Sequence, residues 1–338
     1  MIKYLGSKRK LIPQILAAIP KDVRSVLDAF SGTARVSKAL KEAGYAVHSN
    51  DLMEYAYILA ICYTQAPPSI QEEAQQYIDT YNQLPGKPGW FTKTYCEKSR
   101  FFQPENGARI DAIREQILMD DHMSIELESV LLTSLMEAAD RVDSTCGIQM
   151  AYLKQWSKRS YNDLELRMPK LSKHHNYELD YVAIYGEAVE AIDFDETYDL
   201  VYLDPPYNQH SYAGNYHIWE SLCKWDKPQV YGVACKREDV RTHKSEFNSK
   251  RKAHEAMRQL IQACNSKYIL VSYSSDGFIS KDEMLSMLEE RGPVTVTEID
   301  YGRHIMHNIG RHGSKGEKPV TEIKASKNKE YLFLCTCK

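Results

Sequence analysis

The chain has 338 residues, enough for two domains or for one large domain carrying an insertion. Its 43 Lys and Arg stand against 46 Asp and Glu, a formal net charge of -3, which excludes a uniformly basic histone-like binder and an acidic disordered tail. Apolar residues at 43% and charged residues at 26% fit a folded globular protein. No run approaches the roughly 18 apolar residues of a membrane span, and no membrane association is expected.

The opening stretch lacks an apolar core followed by small residues, so no secretory leader is expected there. The eight cysteines are scattered and form no Cys-x-x-Cys pair, the spacing a zinc site normally uses. Reduced, mostly buried thiols in a cytoplasmic protein are expected, with no metal. Cys335 and Cys337 would share one face of a terminal strand.

A short β-branched run ends at Asp28. Ser31, Gly32 and Thr33 follow, and then Val36, Ala39, Leu40 and Ala43 recur at helical spacing. Gly44 is a natural helix stop. Tyr45-Ala-Val-His-Ser-Asn-Asp51 predicts a second strand closing on an acid. Strand, glycine turn, helix, strand, acid is the βαβ plan of a nucleotide-binding half-sheet. Residues 54 to about 175 break the pattern. Helical stretches are predicted over 72–81, 107–118 and 125–142, between loops rich in Pro, Gly and aromatics. This is too long for a crossover connection and reads as an inserted domain. Strands resume at Tyr181-Val-Ala-Ile-Tyr185 and Tyr198-Asp-Leu-Val-Tyr-Leu203, then over 268–273, 294–300 and 331–336, with a helix over 281–290.

The sharpest motif is Leu203-Asp-Pro-Pro-Tyr207, placed at the carboxyl end of an apolar strand, where open α/β sheets bind their ligands. Pro205 and Pro206 fix the backbone and remove two amide donors. What remains is a pair of acceptors, the Asp204 carboxylate and the Pro205 carbonyl, beside the flat face of Tyr207. That set suits an exocyclic amine on a base. The turn from Asp28 to Thr33 keeps only Gly32 of the three fingerprint glycines that let a pyrophosphate approach. The expected ligand therefore has a ribose and no phosphate, with Asp51 at the strand end where an acid binds ribose hydroxyls. At the opening, Lys3-Tyr-Leu-Gly-Ser-Lys8 sets a glycine turn between an aromatic and a lysine, an arrangement able to hold a carboxylate.

Taken together, these elements resemble the Dam-like, alpha-ordered adenine-N6-specific DNA methyltransferases. In that family a Tyr/Trp-x-Gly-x-Lys element precedes the cofactor turn, the target-recognition region and Asp-Pro-Pro-Tyr, in that order. The resemblance covers nearly the whole chain outside the 60–120 stretch. It includes Tyr185-Gly-Glu-Ala188, Ser272-Tyr-Ser-Ser-Asp-Gly277 and Tyr301-Gly-Arg303. It implies an α/β fold: a Rossmann-like mixed seven-stranded methyltransferase sheet with an inserted, mainly helical target-recognition domain. The catalytic domain would comprise 1–56 and 176–338, and the insertion 57–175.

The resemblance also implies roles. Tyr4 and Lys8 would sit at the methionine end of S-adenosylmethionine, and Asp28, Phe30, Ser31, Gly32 and Thr33 would form its turn. Asp51 would bind the ribose, Leu52 would pack on the adenine, and Glu187 and Ala188 would border it. Asp204, which also borders the cofactor, would join the Pro205 carbonyl in accepting the target amine's hydrogens. Pro206 would hold the turn, and Tyr207 would stack on a base flipped out of double-stranded DNA. A separate cognate restriction endonuclease would be a further partner.

Contacts to DNA need local positive charge. Residues 151–175 hold six Lys or Arg against two acids, 236–254 seven against three, and 303–329 seven against two. Lys154, Lys158, Arg159, Arg303, Arg311, Lys315 and Lys318 are the candidates on the phosphate backbone. Tyr212 and Tyr216, in the Gly- and amide-rich loop after the motif, are candidates around an extruded base. Two other readings stay open. One is the same chemistry on cytosine N4 or on an RNA adenine. The other is a catalytically silent DNA-binding subunit that keeps the fold.

Overall fold

The computed structural model describes residues 1–192, 197–242, 245–301 and 328–338. Arg303, Arg311, Lys315 and Lys318 lie outside the described residues, as do Gly302 and the rest of the basic stretch up to residue 327.

Seven strands form one sheet. In chain order they are β1 (Ser25–Asp28), β2 (Ala46–Asp51), β3 (Tyr181–Tyr185), β4 (Tyr198–Leu203), β5 (Ser266–Ser274), β6 (Val294–Tyr301) and β7 (Asn328–Thr336). Their spatial order is β3-β2-β1-β4-β5-β7-β6. β7 runs antiparallel to both β5 and β6, and the other pairings are parallel, so the sheet is mixed as expected. The bounds of β3 and β4 coincide with the apolar runs read from the sequence.

Val26 and Leu27 of β1 are fully buried, as are Leu200 and Leu203 of β4, because apolar matter covers both faces of the sheet. On one face, α1 (Ile12–Ala18) and α2 (Arg35–Glu42) place Ile15, Val36 and Leu40 against Val26 and Val47. On the other, α8 (Ala253–Ala263) and α9 (Lys281–Glu289) place Leu260, Met284 and Leu288 against Leu27, Val201 and Phe333. Gly44 ends α2 at φ +95°, the left-handed stop that its type implied. Strand order reverses beside β1, which has β2 on one side and β4 on the other. At such a reversal two loops leave the sheet in opposite directions and open a crevice at the strands' carboxyl ends.

The long middle segment is helical: α3 (Glu54–Ala60), α4 (Gln71–Asn82), α5 (Pro104–Met119) and α6 (Ile125–Val142). Leu127, Val130, Leu131 and Leu135 of α6 are buried almost completely. They share an apolar cluster with Ile2, Ala34, Tyr55 and Trp219, the last on α7 (His217–Lys224). Truncating Leu131 to Ala in such a site costs about 2–5 kcal/mol. Among the described residues, no helix is long and apolar enough to cross a membrane.

Candidate active site

The carboxyl ends of β1 to β4 open on a cavity of about 550 Å³. Every residue expected on a cofactor lines it, from Tyr4 and Lys8 through the 28–33 turn and Asp51 to Glu187, Ala188 and Asp204. Pro206 also reaches the wall, whereas Pro205 is buried beneath it.

The turn after β1 explains the local chemistry. Gly32 adopts φ +51°, and a Cβ there would come within 3.3 Å of the Tyr4 ring. Only glycine meets both conditions without strain. Its amide donates to Asp51 Oδ2 at 2.9 Å, and the Met53 amide donates to Oδ1 at 3.0 Å. The acid at the end of β2 thus orders both loops of the crevice. Burial pushes its pKa up to about 6, against the downward pull of the Met53 and Gly32 amides. Asp28 accepts a 2.6 Å bond from Ser37 Oγ, yet burial pushes it up to about 7.

Leu52 stands half-open on one side of the cavity, 41% exposed. Phe30 meets Phe247 edge-on at 5.5 Å on the wall, and Glu187 lies at an exposed rim with Ala188 buried behind it. Ser7 Oγ, Ser31 Oγ and Asn50 Oδ1 are buried on this lining and have no hydrogen-bond partner among the described residues. Buried polar atoms without partners cost free energy unless a ligand satisfies them. An aromatic and apolar slot with an acid and unsatisfied polar atoms beside it suits a nucleoside.

At the end of β4, Asp204 meets Lys8 Nζ at 3.0 Å. The family resemblance implies a place for Lys8 at the methionine end of the cofactor, and Lys8 does line the cavity. The structure commits its charge to two carboxylates of the protein, since the same ammonium pairs with Glu330 Oε1 at 2.5 Å. Burial works against the Lys8 cation, but Asp204 and then Glu330 outweigh it and raise its pKa well above the usual lysine range. Burial pushes Asp204 up to about 6, with Lys8 opposing and Glu330 adding to the rise. Tyr207 is half-buried, its ring edge-on to Tyr273 at 6.2 Å and its carbonyl accepting from the Phe278 amide at 2.9 Å.

A nucleoside slot running into an Asp-Pro-Pro-Tyr turn has a counterpart among known proteins. The family model of D12 class N6 adenine-specific DNA methyltransferases matches residues 4–287. The chain belongs to this family. It is 29% identical to the modification methylase StsI of Streptococcus sanguinis, over 98% of this chain and 56% of that protein. It is 32% identical to the type II methyltransferase M.FokI of Planomicrobium okeanokoites, over 86% of this chain and 47% of that protein. With the type II methyltransferase M.NlaIII of Neisseria lactamica identity is 29%, over 89% of this chain and 92% of that protein. The chain therefore spans about half the length of the first two relatives and nearly all of the third.

Membership of the D12 class implies a methyl donor. The residues expected on DNA fare unequally. Lys154 and Lys158 are exposed. Arg159 pairs with Asp143 and donates to the Thr145 carbonyl at 2.8 Å, so its planar fork is occupied within the protein. Tyr212 is half-buried and stacks on Tyr4 at 5.2 Å. Tyr216 has a packing role in place of the expected DNA contact. It is 1% exposed, stacks on Tyr4 at 4.6 Å, and its hydroxyl accepts from the Leu5 amide at 2.6 Å. The loop after the motif is held down too: Asn248 Nδ2 donates to the Asn208 carbonyl at 2.8 Å.

Sequence reasoning missed Phe247, Arg237 and Glu330. Phe247 and Arg237 lie on the cavity wall far along the chain from its motifs. Arg237 is 3% exposed and held by Asp226 and Asp239, at 2.7 Å in each case. Glu330 carried a faint signal: it alternates with Leu332 on a buried face of a strand, an unusual place for a charge.

Proposed function

We propose that this protein is a site-specific DNA adenine methyltransferase. It moves a methyl group from S-adenosylmethionine to adenine N6 in duplex DNA, in the cytoplasm, as the modification enzyme of a restriction-modification system whose endonuclease is a separate chain. The observation that carries this reading is the position of Asp204 at the end of β4, on the wall of a nucleoside-sized cavity.

The cavity residues suit S-adenosylmethionine, which supplies an electrophilic methyl group when bound. Asp51 would take the ribose hydroxyls, Phe30, Leu52 and Phe247 would enclose the adenine, and Ser7, Ser31 and Asn50 would offer it their unsatisfied polar atoms. Adenine N6 is a weak nucleophile because its lone pair is delocalised into the ring. The Asp204 carboxylate and the Pro205 carbonyl accept hydrogen bonds from its two hydrogens, which favours a pyramidal nitrogen with a localised lone pair, and one of those hydrogens leaves as a proton once the N–C bond has formed. Tyr207 stacks on the base once it leaves the helix, where it is otherwise out of reach. The protein's task is alignment and electrostatic stabilisation. DNA recognition is assigned to residues 57–175, with exposed Lys154 and Lys158 on the phosphate backbone.

The test is incubation of the purified protein with S-adenosylmethionine and unmethylated genomic DNA, followed by nucleoside mass spectrometry and modification-sensitive sequencing. N6-methyladenine at one recurrent sequence is expected. N4-methylcytosine, or no modified base, would overturn the reading.

A further inference from the structure

We propose that Glu330 is a positioning residue for methyl transfer, acting through Lys8, and that Asp204, Lys8 and Glu330 work as one buried unit of net negative charge. The proposal rests on the reading above, that Asp204 accepts hydrogens of the reacting amine.

The geometry is unequal in an informative way. Lys8 Nζ stands 2.5 Å from Glu330 Oε1 and 3.0 Å from Asp204 Oδ1. Side-chain exposure is 7% for Lys8, 6% for Glu330 and 19% for Asp204, so the open end of the group is Asp204. Glu330 is itself fixed by Ser272 Oγ, which donates to it at 2.8 Å. Two adjacent strands therefore hold the glutamate, β7 carrying it and β5 carrying the serine.

A lone Lys8–Asp204 pair would be neutral, and its ammonium would compete with the substrate amine for the carboxylate. A second carboxylate at the back draws the ammonium away and leaves one uncompensated negative charge. In a site shielded from water that charge acts strongly on a nitrogen that becomes positive during transfer. The remaining titratable groups facing Asp204 are Asp28, Tyr202, Tyr207 and Tyr212. Burial raises the pKa of each tyrosine, so they stay neutral at assay pH, and Asp28, pushed up to about 7, is part-neutral there. Glu330, held against the ammonium by Ser272, is thus the second carboxylate that offsets Lys8.

Glu330→Gln keeps the size and removes the charge. Turnover should fall by about 10–100-fold, the scale of losing one hydrogen bond to a charged group. Equilibrium binding of S-adenosylmethionine should hardly change. The acid limb of the kcat profile should move to lower pH, because Asp204 loses a negative neighbour and ionises more easily. Glu330→Asp, which keeps the charge, should leave the limb in place and recover part of the turnover. It also carries the test if the Gln variant fails to fold, since a displaced limb in the Asp variant would overturn the proposal. An unmoved limb in a folded Glu330→Gln, whatever its turnover, would overturn it too and leave Glu330 a packing residue. Absence of N6-methyladenine with the wild-type protein would instead bring down the function reading, and this proposal with it.

Discussion

The Tyr212 hydroxyl lies where Gly6 would carry a side chain: a Cβ on Gly6 would come within 2.8 Å of it. Gly6 also adopts φ +77°, so the turn before Lys8 needs glycine for its backbone and for its neighbour. The contact joins the opening Tyr-Leu-Gly-Ser-Lys turn to the loop that follows Asp-Pro-Pro-Tyr.

That contact makes a two-part prediction. Gly6→Ala should lower both the melting temperature and kcat/KM. Adding Tyr212→Phe should recover the steric part of the loss. The left-handed backbone penalty, about 1–2 kcal/mol for a residue with a Cβ, should persist in the double variant. A double variant no better than Gly6→Ala would show that the hydroxyl is not the obstacle.

Asp204→Ala should reduce methyl transfer by at least about a hundredfold, the scale for losing one group aimed at transition-state charge. Cofactor and DNA affinity should be largely kept, because the loss falls on the reacting amine. Single-turnover rates alongside binding isotherms separate these effects. Turnover close to wild type would refute the role given to Asp204.

Asp51→Ala should weaken S-adenosylmethionine binding by about 1.5–3 kcal/mol, the range for hydrogen bonds to a charged group. The Gly32 and Met53 amides lose their acceptor as well, which places the result towards the upper end. Titration calorimetry of the cofactor is the measurement. DNA binding without cofactor should be unaffected, and a common loss of both affinities would point to a collapsed crevice.

Asp28 makes a pH prediction whose sign is fixed. Burial raises its folded pKa to about 7, well above the unfolded value of about 3.9, so the folded state holds a proton that the unfolded state releases. Its stabilising contribution is full below the unfolded value and is lost as pH rises through about 7. Asp28→Asn, which can still accept from Ser37, should therefore be more stable than wild type at pH about 8. The gap should narrow as pH falls below about 7 and close only near pH about 4. Melting curves of the cofactor-free proteins across that range provide the check, and a constant gap would mean that Asp28 is ionised in the fold.

The legible parts of this molecule were local. Tyr181–Tyr185, Tyr198–Leu203 and Ile125–Val142 declare themselves by apolar periodicity within a few residues, and Gly32 and Gly44 by the turns they permit. The cavity wall was legible because its motifs sit at strand ends, and topology brings strand ends together. What stayed hidden depended on distant pairings. Nothing near Lys8 announces Glu330, and that pairing decides where the lysine's charge goes. Tyr216 misled for the converse reason: a polar, glycine-containing loop suggested solvent, whereas its ring inserts between the opening segment and α3.

Among the described residues, β7 follows the other six strands of the sheet in sequence yet takes a place between β5 and β6. During synthesis from the amino end, β5 must wait with an open edge, its amides and carbonyls free to pair with any passing strand. Only when β7 slots in does β6 gain its neighbour and Lys8 its second carboxylate. Emergence from the ribosome thus sets the moment at which the buried ion network closes: a nascent chain can bury much of its hydrophobic interior before Lys8 meets Glu330. Fragments trimmed ahead of β7 should burden the cell as aggregation-prone sheets with an open β5 edge.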